Sequence, residues 1–95
     1  MTAAFEAAFA ARVAASVRRV FGEREELASR VNAAIAAARG YGLSTERELV
    51  RFAHVTFLLG DGWDTAEPWA RAILGNAALT PSRRIDAAWK RIATE

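Results

Sequence analysis

The chain has 95 residues, a formal net charge of +2 and no cysteine, which excludes disulfides and thiolate metal sites and is compatible with a cytoplasmic location. Hydrophobic residues make up 53%, but 23 of them are alanine, so one small core must rely on a few large anchors while helix propensity is high and strand-favouring β-branched runs are absent. So small a charge does not by itself point to nucleic acid, and no stretch reaches the 18 or so uninterrupted apolar residues of a membrane span.

The periodicity predicts about five helices in one all-α domain spanning residues 1–95. The first runs over about 3–21, with Phe5, Phe9, Val13, Val17 and Val20 as its buried stripe. Alanine pairs flank the stripe and would admit a partner helix or a second copy of the chain. This apolar stretch lacks a basic leader and is interrupted by Glu6 and Arg12, so no secretory signal is expected. The second helix, about 23–39, opens on Glu23, Glu25 and Glu26, where the helix dipole favours acids, and buries Leu27, Val31, Ile35 and Ala38. Glu26 and Arg30 have the spacing of a favourable surface pair. Gly40 and Gly42 then place Tyr41 in a tight turn.

Thr45 followed by Glu48 has the spacing of a capping box, with Ser44 as the alternative cap. The helix that follows, to Leu59, is apolar on most sides and should be the centre of the bundle. Arg47, Arg51, His54 and Leu58 share one line, the strip where it is expected to meet solvent. In the stretch FLLGDGWD, Gly60 is the expected stop residue and Trp63 the residue that folds back onto the last turn. A fourth helix is expected over 66–75, capped by Asp64 or Thr65, with Trp69, Ile73 and Leu74 inward. Thr80-Pro81 opens a fifth over 81–93, with Ile85, Ala88, Trp89 and Ile92 inward and Asp86 paired to Lys90 outside. Phe52, Phe57, Trp69 and Trp89 are the expected anchors.

The residue types for covalent or general-base catalysis are sparse: one histidine, no cysteine, and no serine in a nucleophile-elbow context. The expectation is therefore a non-enzymatic protein without cofactor. Asp61, Asp64 and Glu67 form a D-x-x-D-x-x-E series, but Gly62 and Trp63 occupy positions where a calcium loop needs oxygen ligands, so no metal is expected. A helix-turn-helix reading of the GYGLS segment is opposed by the apolar character of the helix after it, and either register drops Glu46 or Glu48 where an aliphatic belongs. The nucleic-acid alternative rests on Arg83, Arg84, Lys90 and Arg91 in the last helix. Candidate partner-binding residues are Arg47, Arg51, His54 and Leu58 on the strip, and Asp61 and Trp63 in the loop.

Three segments in order, AAARGYGLSTERELVRFAHVTFLLGDGWD, PWARAILGNAAL and TPSRRIDAAW, carry a family resemblance. The glycine-flanked tyrosine, the capped helix start, the leucine-glycine stop, the aromatic before Asp64 and the Pro-Trp-Ala-x-x-Ile-Leu run are its marks. Over roughly residues 5–92 the chain resembles small helical bacterial proteins encoded beside PAAR-type spike proteins and effectors of type VI secretion and related contractile injection systems. The resemblance implies an accessory role, as adaptor or chaperone of a secreted effector or spike component, and carries over no catalytic residue.

Overall fold

In a computed structural model, the backbone is described over residues 2–93 and the side chains over 8–93; the expected burial of Phe5 lies outside the described residues. Among the described residues six helices form, in an all-α arrangement: α1 (Thr2–Phe21), α2 (Leu27–Gly40), α3 (Glu46–Leu59), α4 (Trp63–Ala66), α5 (Pro68–Leu74) and α6 (Pro81–Ala93). No helix among the described residues is long and apolar enough to cross a membrane.

Contacts along the helices fix their directions. Arg12, Ser16 and Phe21 of α1 meet Glu46, His54 and Phe57 of α3 in that order, so the two run parallel. Asp86 and Trp89 of α6 meet Arg51 and His54, so α6 is parallel to α3 as well. Arg30, near the start of α2, lies over Phe57, while Tyr41, just past its end, packs on Phe52, so α2 runs the opposite way. As its apolar run requires, α3 packs against α1, α2 and α6. Leu49, Phe52, Ala53 and Val55 of α3 are buried with Val13 and Val17 of α1, Val31 and Ala38 of α2, and Ile85 and Ala88 of α6. Of the expected anchors Phe52 is buried, whereas Phe57, Trp69 and Trp89 are half-buried at the edge of the core.

Local signals account for most boundaries. Thr45 caps α3 through its hydroxyl, and the Glu48 carboxylate accepts from the Ser44 and Thr45 N–H groups at 2.9 and 3.1 Å. Thr80 Oγ1 accepts from Arg83 N–H, with Pro81 in the first turn of α6. The end of α2 is a Schellman closure: Leu43 N–H reaches Ala38 O, Gly42 N–H reaches Arg39 O, and Gly42 takes φ +88°.

Four expectations are corrected here. The second helix begins at Leu27, because Glu26 adopts the left-handed conformation (φ 58°); the three acids precede the helix. Arg30 consequently pairs with Asp61 at 3.3 Å and lies over the Phe57 ring, and does not pair with Glu26. The expected fourth helix is two short ones, since Pro68 lacks an N–H and starts a new helix after the extended Glu67; Asp64 bonds the Tyr41 hydroxyl. Val20 is 61% exposed; Phe21, four residues beyond Val17, takes the inward position at the end of α1 and packs on His54 and Phe57. Gly60 does stop α3, with its N–H on Thr56 O, but at φ 104°, ψ 159°, outside the left-handed helical region.

Candidate functional site, a valley over the third helix

Arg47, Arg51, His54 and Leu58 lie along α3 between its contacts with α1 and α6. Those two helices run parallel to α3 on either side, so the line becomes the floor of a valley. From Arg47 to Leu58 it extends roughly 17 Å, about three helical turns. One wall carries Arg12, Ser16 and Arg19, spaced along a single edge of α1; the other carries Ser82, Asp86 and Lys90, four residues apart on α6. At the end where α3 and α6 begin, a depression of about 340 Å³ between these two helices is lined by Thr45, Arg47, Glu48, Arg51, Ser82, Ile85 and Asp86.

The floor is not the continuous solvent strip that its periodicity predicts. Arg47 is exposed, Arg51 is partly covered and ion-paired with Asp86, and Leu58 is 54% exposed. His54 is the correction: it is only 8% exposed. Phe21 meets its ring edge-on at 5.5 Å from one side and Trp89 approaches at 6.1 Å from the other. Its Nε2 is 3.2 Å from Ser16 Oγ. Removal from water disfavours the imidazolium, so burial holds the His54 pKa below its usual value, against a smaller opposing effect of Ser16. A serine hydroxyl beside an imidazole has the residue types of a nucleophile–base pair. Among the described residues, however, no carboxylate is among the groups acting on this ring to orient it as a base. The contact satisfies a buried polar pair between two helices.

Charge in the valley is unbalanced. Arg12 pairs with Glu46 at 2.6 Å and Arg51 with Asp86, while Glu48, the third carboxylate on this face, accepts from the Ser44 and Thr45 N–H groups. Asp86 therefore serves Arg51 and not Lys90, the pairing its own helix suggested. Arg19, Arg47, Arg83 and Lys90 are exposed and have no acidic partner among the described residues. Glu48 belongs to the structure: burial raises its pKa, but hydrogen bonds from Ser44, Thr45 and Ser82 outweigh this and leave it low.

The loop candidates fall elsewhere. Trp63, placed in a loop by the sequence reading, is the first residue of α4 and only 2% exposed, so it cannot be a surface anchor. Its Nε1–H donates to Thr56 Oγ1 at 3.0 Å and its ring packs on Phe52 and Trp69, which is the fold-back contact expected of it. Asp61 is exposed but tied to Arg30. Neither residue shares the valley. Among the described residues no group of three or more His, Asp or Glu is placed to hold a metal ion.

The four basic residues of the nucleic-acid alternative do not form one surface. Arg84 donates to Asn76 O and Tyr41 O, tying α6 to the preceding turn and to the end of α2, and Arg91 lies over the Trp69 ring at 4.9 Å. Arg83 and Lys90 stand on the opposite flank beside Asp86, and Arg18 is paired with Glu23 at 3.0 Å. Sequence reasoning did not place Arg19 on this face, and it named Lys90 only for the nucleic-acid alternative. The signal for Arg19 was its position three residues beyond Ser16, but nothing local indicated that α1 and α3 run in step.

Comparisons with protein-family models, with curated proteins and with solved structures find no match.

Proposed function

We propose that this protein is a non-enzymatic protein-binding module of the cytoplasm that takes its partner in the valley over α3. The observation that carries the reading is that exposed Leu58 ends a line along α3 that begins at exposed Arg47, a cation the chain itself leaves unmatched. An exposed apolar side chain beside helix-length walls suits a partner surface, and unpaired cations at its rim would steer and orient that partner. The resemblance noted above adds the biological setting: an adaptor or chaperone for an effector or spike component of a type VI or related contractile injection system. The dispersal of Arg84 and Arg91 into intramolecular roles, and the carboxylates lying among the remaining cations, favour this reading over a nucleic-acid-binding regulator. A second copy of the chain is the alternative partner, favoured by the exposed alanines Ala8, Ala11 and Ala15 on one edge of α1.

Affinity capture from native lysate with the tagged wild-type chain and with Leu58→Asp, each with and without nuclease, tests the reading. The expected result is one co-purifying protein, unaffected by nuclease and lost with Leu58→Asp. Capture that survives Leu58→Asp, or that disappears with nuclease, overturns it.

A further inference from the structure

We infer that the cavity between α2, the second half of α3 and the loop entering α4 is a binding site for a short aliphatic amine, with the chain in the well and the ammonium held by Asp61 and Asp64. The site shares no residue with the line from Arg47 to Leu58 and does not depend on the function proposed for that line.

Three observations select this ligand. The first is size and depth. The cavity measures about 100 Å³, less than the roughly 150 Å³ that receives a benzene ring, so a short unbranched chain fits where a ring does not. Its inner lining is Ala34, Phe52 and Thr56, which are 5%, 1% and 4% exposed, and its outer lining includes exposed Ala33 and Asp61. It therefore opens to solvent on the side of Asp61. Apart from Arg30, α2 lines it with alanines alone, Ala33, Ala34 and Ala37, and these are too small to fill it.

The second is the polarity of the well. The Thr56 hydroxyl already donates to Phe52 O and accepts from Trp63 Nε1–H, each at 3.0 Å. Among the described residues no buried side-chain nitrogen or oxygen lacks a partner. The inner well thus offers water little to bond, and methylene groups taking its place are favoured. The third is charge. The charged residues of the lining are Arg30, Asp61 and Asp64, a formal total of −1. Arg30 is engaged twice, by Asp61 at 3.3 Å and by the Phe57 ring at 4.1 Å. Asp64 accepts from the Tyr41 hydroxyl at 2.7 Å and meets no cation among the described residues. A carboxylate with only a neutral partner, beside an apolar well, suits an ammonium group, which adds a charge-assisted hydrogen bond to the burial of its chain. An anion of the same length is repelled, and a neutral chain gains the burial alone.

The test is amide NMR of the full, isotopically labelled chain at pH 7, titrated separately with n-butylammonium, n-butanol, butyrate and ammonium. At that pH n-butylammonium is charged, as a lysine side chain is. The expected result is saturable shifts of the Ala33, Ala37 and Gly62 amides at millimolar n-butylammonium, about tenfold weaker binding of butanol and of ammonium, and none of butyrate. Asp64→Asn, which keeps an acceptor for Tyr41, should weaken n-butylammonium about tenfold, and Ala37→Leu, which fills the well, should abolish its binding. Peak dispersion verifies the fold of each variant, and should one fail to fold, the four ligands on the wild-type chain decide the matter by themselves. Binding of butanol, butyrate or ammonium as tight as that of n-butylammonium overturns the inference, as does the absence of saturable shifts with n-butylammonium. A fifth ligand, Nα-acetyl-lysine methylamide, separates the two sources of this chemistry. Binding at least as tight as n-butylammonium supports a site for a lysine side chain of a partner protein; exclusion of the lysine derivative while n-butylammonium binds supports a site for a free amine.

Discussion

Trp63 is the side chain on which the return of the chain after α3 depends. Its ring fills the space between Phe52 and Trp69, at centroid distances of 5.0 and 6.0 Å, and its N–H ends on Thr56. Removing it leaves a cavity and takes away the N–H that Thr56 Oγ1 accepts from, although that hydroxyl still donates to Phe52 O, so Trp63→Ala is expected to cost about 3 to 4 kcal/mol. In a chain of this size that lowers the melting temperature by more than ~10 °C, readable by circular dichroism. His54 supplies a pH dependence of defined sign. In the unfolded chain it takes up a proton near its usual 6.5, while the buried ring stays neutral to lower pH. The unfolded state therefore binds more protons below pH 6.5, and stability falls as pH falls through that window, by up to ~1.4 kcal/mol per pH unit. Glu48, whose carboxylate is held low, adds a loss of the same sign only below its usual 4.5. Denaturant titrations from pH 7 to 5 should show the decline in the wild type and a flat profile in His54→Gln. The Tyr41 hydroxyl is likewise set by its surroundings: burial, with the hydrogen bond and charge of Asp64, pushes its pKa up to about 12.

Among the elements, the boundary between α2 and α3 is the most tightly determined. Gly42 takes φ +88°, and a Cβ placed there would stand 3.1 Å from Pro81 Cγ, so the turn also seats the start of α6. Gly42→Ala is expected to destabilise by about 1 to 2 kcal/mol through strain and the displaced proline contact, measured as a lower urea midpoint at unchanged slope. The capping box of α3, the cap and proline of α6 and the glycine closure of α2 were all legible in the sequence, because each is made within a few residues of itself. The start of α2 was not. Three consecutive-looking acids satisfy a helix N-terminus electrostatically, but the turn from α1 requires a left-handed residue at Glu26, and that demand comes from where α1 and α2 must pack.

Across the molecule, the core and the proposed binding line are different surfaces. The core residues contact the inner faces of all the long helices, whereas Leu58, Arg47, Arg19 and Lys90 lie outside it. Leu58→Asp should accordingly leave the denaturant midpoint within about 0.5 kcal/mol of wild type while removing partner capture, so that a loss of binding is not a loss of folding. The all-α class, the helical punctuation, the central position of α3 and the line from Arg47 to Leu58 follow from propensity and periodicity, which act within a helix and are present in the chain before it folds. That His54 is covered, that Trp63 is enclosed, that Asp86 serves Arg51, and that α1 and α6 wall the line into a valley were decided only by tertiary structure. Each depends on parallel packing between segments more than thirty residues apart or on a ring from another helix, and periodicity within one helix contains no information about the direction in which its neighbours run.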